Sequence, residues 1–138
     1  MANTFTAPFV QTYKTAAAAV TTALASLNPA IGTLTLLATA GTNGAVVTKL
    51  SAIPKGTVTA SSLALFLVKS ANPSAPFLID SELMPAYTLS TTTAVPETVF
   101  TNISNDTPIR LEAGDMLYVG AQVAQAAGVV FKAEWGNL

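Results

Sequence analysis

Apolar and polar positions change places every second residue along much of the chain, the period of a strand with one buried face. Residues 32–39 read GTLTLLAT, with Thr alternating with Leu before the run turns wholly apolar. Residues 45–53 (AVVTKLSAI) follow, between the turn Gly41-Thr42-Asn43-Gly44 and the stop Pro54-Lys55-Gly56. Asn-Gly takes the positive φ angles of a tight hairpin, so this turn predicts that its two flanking strands pair. Residues 57–70 hold the most apolar run, Leu63-Ala64-Leu65-Phe66-Leu67-Val68. Such a run predicts a central strand covered on both faces. Further strands are predicted over residues 77–84, 87–94, 97–103, 109–112, 116–120 and 128–135, each bounded by Pro, Gly, Asn or Asp.

The first thirty residues are less regular. Residues 9–15 have a β-type composition, whereas residues 16–27 (AAAAVTTALASL) set helix-favouring Ala against strand-favouring Thr and Val. Asn28-Pro29 ends that stretch, because a residue before proline is pushed out of the helical region. Residues 1–8 carry no repeating pattern and read as a loose arm. The expectation is therefore an all-β fold: a β-sandwich or jelly-roll of about eight short antiparallel strands. A length of 138 residues makes it a single domain, residues 1–138, with residues 1–13 either an extended docking arm or an ordinary first strand with a frayed tip.

Composition changes the picture at the surface. Half of the residues (51%) are hydrophobic and only 9% are charged, against about 25% in ordinary domains. That excludes disorder, which needs low hydrophobicity and high charge. Six Lys and Arg against seven Asp and Glu leave no material for a basic patch, so nucleic acid is not an expected partner. No window approaches the roughly 20 apolar residues of a membrane-spanning helix. The alanine-rich run behind Lys14 mimics a signal peptide, yet Pro8, Gln11 and Thr12 precede it and alanine is weakly hydrophobic; export is not expected. An outer-membrane barrel needs aromatic girdles, and aromatics make up 7%. What remains is burial between subunits, since obligate interfaces are as apolar as cores and poor in charge.

Candidate chemistry is sparse. The chain has neither His nor Cys, which removes the usual general base, the thiol nucleophile and the thiolate metal site. Asp80 and Glu82 share one face of a predicted strand, but calcium asks for a larger cluster of oxygen ligands. Asp106, Glu112 and Asp115 fall at turns, where Asp bonds nearby backbone. Glu134 beside Trp135 suggests a sugar platform, against the commoner role of a lone Trp as a core or interface anchor. Gly-x-Ser-x-Gly and phosphate-loop patterns are absent. No enzyme activity, no cofactor and no metal are expected.

Three stretches carry a resemblance: the start Ala7-Pro8-Phe9-Val10, residues 38–45 (ATAGTNGA), and residues 111–120 (LEAGDMLYVG) followed by Ala126-Ala127-Gly128-Val129-Val130. The ending Glu134-Trp135-Gly136-Asn137-Leu138 departs from the Gly-Gly-Asp-aromatic tail common in that group. With these, the chain resembles small β-sandwich structural proteins of tailed bacteriophages. The resemblance implies a head decoration (cement) protein on the virion exterior, docking on the major capsid protein as a homotrimer, and no catalytic residue. Phe5, Phe9 and Tyr13, spaced every four residues, are the candidate docking contacts of the arm, and Trp135 a further partner-binding anchor. Two other readings stand beside it. One is a receptor- or carbohydrate-binding module of a phage fibre, using Trp135, Tyr87 and Tyr118. The other is a tail or neck assembly subunit.

Overall fold

The structure, a computed structural model, describes residues 9–138. Among the described residues nine strands follow one another: β1 (Thr12–Val20), β2 (Thr35–Thr39), β3 (Ala45–Pro54), β4 (Ser61–Val68), β5 (Pro76–Met84), β6 (Thr98–Val99), β7 (Ile109–Leu111), β8 (Met116–Ala121) and β9 (Val129–Asn137). They form two antiparallel sheets facing each other, an all-β sandwich. The first runs β1-β9-β3, with β7 and β6 sharing the far side of β3. The second runs β2-β8-β4-β5.

The ambiguous alanine stretch is half strand. Its residues 16–20 complete β1, which pairs residue for residue with β9, from Thr12 opposite Asn137 to Val20 opposite Val129. Ala16 and Ala18 pack against the core while Ala17 and Ala19 are exposed, so alternation across a sheet overrides the helix propensity of alanine.

The Asn43-Gly44 turn is not a hairpin. β2 pairs with β8 and β3 with β9, so the turn carries the chain from one sheet to the other. Gly44 supplies a positive φ of 89°, and a Cβ there would meet the Leu111 carbonyl oxygen at 2.5 Å. Among the described residues no non-glycine has positive φ, so Asn43 lacks the second left-handed position of a type I′ turn.

Two predicted strands shrink for a common reason. Residues 87–94 keep only a bridge between Val58 and Tyr87, because hydroxyls there bond their own neighbourhood: the Ser90 Oγ accepts from the Thr92 N–H. Residues 97–103 keep Thr98–Val99, after which Phe100 enters the core. The chain then turns back on hydrogen bonds such as Thr107 Oγ1 to the Asn102 carbonyl.

β4 bears out its apolar sequence. Leu63 and Leu65 face the layer between the sheets with Val47, Leu50, Leu117, Val119, Val129 and Phe131. Ala64 and Phe66 face the other way, under Leu24 and Leu34 from the segment joining β1 to β2, with Ile31 and Tyr118 at the margin. That cover is fastened by the Leu24 N–H to the Ala121 carbonyl, 2.8 Å. Gly120 makes room for it, since a Cβ there would lie 2.6 Å from Leu24 Cδ1.

Phe66 is completely buried beneath this cover. Phe66→Ala should cost about 3–5 kcal/mol in urea unfolding. A loss under about 1 kcal/mol would mean that the cover does not seal the outer face of β4 in solution.

Candidate interaction surfaces

The four aromatic residues expected to meet a partner fall into different settings. Phe5 lies outside the described residues. Phe9 is 67% and Tyr13 84% exposed, one just before β1 and the other on it, so both stand free at the margin of the first sheet. Trp135 is 92% buried by the same measure, with 8% exposure, and belongs to the core between the sheets. It takes the core-anchor role, held between Lys14 on β1 and Val47 on β3. Of the residues named for a sugar platform, Tyr87 is half-buried against the main core and Tyr118 against the outer cluster. These rings do not line up on one open face.

Two hollows flank the chain where it enters β1. One, of about 360 Å³, is lined by Tyr13, Thr15, Thr48, Asn105, Glu134 and Gly136, among others. The other, of about 410 Å³, is more apolar, with Val10, Val46, Leu111 and Leu138 beside Arg110. Val10 borders both and lies over Gly136, where no larger residue would let it approach. The Gln11 N–H donates to the Asn137 carbonyl at 2.8 Å and fixes this entry point.

Asp80 and Glu82, the carboxylate pair on β5, serve as latches. Asp80 Oδ1 accepts from Asn102 Nδ2 at 3.1 Å and from the Ser81 N–H at 2.8 Å; Glu82 Oε1 accepts from the Thr101 hydroxyl at 3.2 Å. They tie the margin of the second sheet to the loop after β6 in the first. Among the described residues no three metal-ligating side chains gather, and no helix is long and apolar enough to cross a membrane. Elsewhere on β5, Phe77 and Leu83 stand 60% and 70% exposed, with Leu78 and Ile79 less so.

One carboxylate is deeply buried. Asp115, after the turn Glu112-Ala113-Gly114, takes Lys69 Nζ at 2.6 Å and the Glu112 N–H at 3.0 Å on Oδ2, and the Ser70 N–H at 3.2 Å on Oδ1. Gly114 supplies the positive φ of 76° that the turn needs. The Asp115 carbonyl also accepts from the Ala40 N–H at 2.8 Å, so this residue joins the loops after β2, β4 and β7 at one end of the sandwich. Burial works against the Asp115 anion, but hydrogen bonds from Lys69, Ser70 and Glu112 outweigh it and hold the pKa below its usual 3.8. The bond to Asp115 is also the main reason that the Lys69 ammonium is held above its usual range, with burial opposing. The sequence placed Asp115 at a turn; its burial and its ion pair with the half-exposed Lys69 depend on a partner 46 residues away, which no local signal reveals.

Compared with protein-family models, with curated proteins and with solved structures, the chain matches none.

Because the folded-state pKa of Asp115 is lowered, its contribution is complete above the unfolded value of 3.8 and fades as pH falls through the folded one. Asp115→Ala should cost about 2–4 kcal/mol at neutral pH by leaving two N–H groups and Lys69 without their acceptor. The deficit relative to the native chain should narrow below pH 4, measured by chemical unfolding across a pH series. A deficit independent of pH would contradict the ionised role.

Proposed function

We propose that this chain is a structural protein of a tailed-bacteriophage virion, a head decoration (cement) protein that docks on the major capsid protein and stabilises the shell from outside. The observation that carries the reading is a rigid sandwich whose exterior is poor in charge and studded with large apolar side chains. Phe9, Tyr13, Phe77 and Leu83 are each at least 60% exposed. Such a surface is costly in water and suits a molecule whose working state covers it.

We read the strand order as a jelly roll. The chain changes sheets at each of its first three connections, and the order β1-β9-β3-β6 faces β2-β8-β4-β5, as two Greek keys wound together would give. A module of this kind resists deformation because its cross-sheet contacts cannot yield one at a time. Bridging neighbouring capsomers, it adds contact area across joints strained by packaged DNA. Repetition in a symmetric oligomer multiplies weak contacts through avidity. The docking arm is proposed for the chain ahead of β1: Phe9 stands exposed at its described end and Phe5 lies outside the described residues, whereas Tyr13, expected on the arm, is fixed on β1 by pairing with β9. Trp135 is 8% exposed and Tyr87 and Tyr118 are half-buried, which leaves these rings little stacking surface and favours the decoration reading over the glycan-binding alternative.

Purified protein added to expanded phage shells that lack decoration should bind in fixed stoichiometry, seen by cryo-electron microscopy. It should also raise the temperature at which the shells disrupt. Saturating addition with no bound density and no change in shell stability would overturn the reading.

A further inference from the structure

We propose that copies of this chain join edge to edge through β1, antiparallel, about a two-fold axis in the alanine run, so that two first sheets become one continuous sheet. The inference rests on the self-association part of the reading above and is independent of the capsid.

A strand at the margin of a sheet shows a row of unpaired N–H and C=O groups, and proteins shield such rows with short strands, bulges or charges. Three of the four margins are shielded in this way. β2 has five residues and a bulge between Leu36 and Ala38. β5 has nine residues but breaks register at Ile79, and it carries Asp80 and Glu82. β6 and β7 have only two and three residues, separated by a loop. β1 lacks every one of these devices. Its nine residues pair with β9 without a register shift, and its one charged residue, Lys14, lies near one end. From Thr15 to Ala19 its side chains are too small to screen the backbone, and among the described residues no strand lies on its outer side.

The charge pattern says what fits there. Antiparallel pairing centred on Ala17 sets Thr15 opposite the partner's Ala19, Lys14 opposite the partner's Val20 and Tyr13 opposite the partner's Thr21. The two Lys14 ammonium groups then lie roughly 20 Å apart along the ribbon, beyond screened interaction. Ala17 and Ala19 share the exposed face with Tyr13, so that ring, 84% exposed in the single chain, reaches diagonally across the partner's Ala19. The same operation on β5 would set Asp80 opposite the partner's Glu82, like charge on like charge. A second copy is therefore compatible with β1 and opposed at β5. The contact is smaller than a standard interface, which makes the pair concentration-dependent in solution and firm only where other contacts add to it.

Charge reversal across the axis tests this. Ala17 and Ala19 are exposed, so the double variants A17K/A19K and A17E/A19E should stay folded by circular dichroism. In sedimentation, each alone should dimerise at least roughly tenfold more weakly than the native chain, and an equal mixture of the two should recover the dimer. The chain has no cysteine, so Ala17→Cys under mild oxidation should give a covalent dimer, while Ser74→Cys in the β4–β5 loop should not. A native chain that stays monomeric at every concentration, without cross-linking at Ala17→Cys, would overturn the proposal. An oligomer indifferent to both charge variants would overturn it as well. A trimer of that kind would still support self-association, and binding of native protein to shells is read separately, so failure here is distinguishable from failure of the capsid reading.

Discussion

The burial of one apolar layer between two sheets is the interaction on which everything else in this molecule depends, and β9 is its keel. It bonds β1 on one side and β3 on the other over nearly its whole length. Val129, Phe131, Ala133 and Trp135 on its inner face meet Leu63, Leu65, Leu117 and Val119 from β4 and β8 in the same core. With thirteen ionisable Lys, Arg, Asp and Glu residues in 138, electrostatics has little material to replace that layer. The bond from the half-exposed Lys69 to the buried Asp115 pins loops at one end and leaves the strands to hydrophobic burial and backbone pairing. The pairing is non-local: Val20 meets Val129 and Ala45 meets Asn137. Such a topology closes long loops before gaining contacts, so these strands hold or fail together.

What was legible in the sequence was what period and composition encode locally. Strands β3, β4, β8 and β9 lie where alternation placed them, and the unbroken run in β4 announced cover on both faces. Partners were not legible. The turn at Asn43-Gly44 looked like a hairpin because turn chemistry fixes a local bend, whereas the sheet joined by each strand depends on residues far away. The alanine run was undecidable for the same reason: alanine accepts either geometry, and β9 decides. Hydroxyl-rich segments after β5 and β6 alternated like strands but satisfied their backbones through Ser and Thr side chains.

The candidate site divided along the same line. Exposure of Phe9 and Tyr13 follows from their place at a sheet margin, which their four-residue spacing did not show. Burial of Trp135 follows from its inward register on β9, which no motif could show. The unshielded margin at β1 was invisible in sequence, because it is defined by contrast with bulges and charges at the other three. In the proposed reading the exterior, poor in charge, is covered in the working state, and the unprotected strand β1 is where a second copy attaches.

Amide hydrogen exchange over a wide range of protein concentration tests that claim most directly. In the single chain, the β1 amides that point away from β9 have no partner among the described residues and exchange quickly. The account predicts that these amides, between Thr12 and Val20, become protected as concentration rises, while those of β5 do not. Fast exchange of the same amides at every concentration, with the protein remaining a monomer, would contradict it.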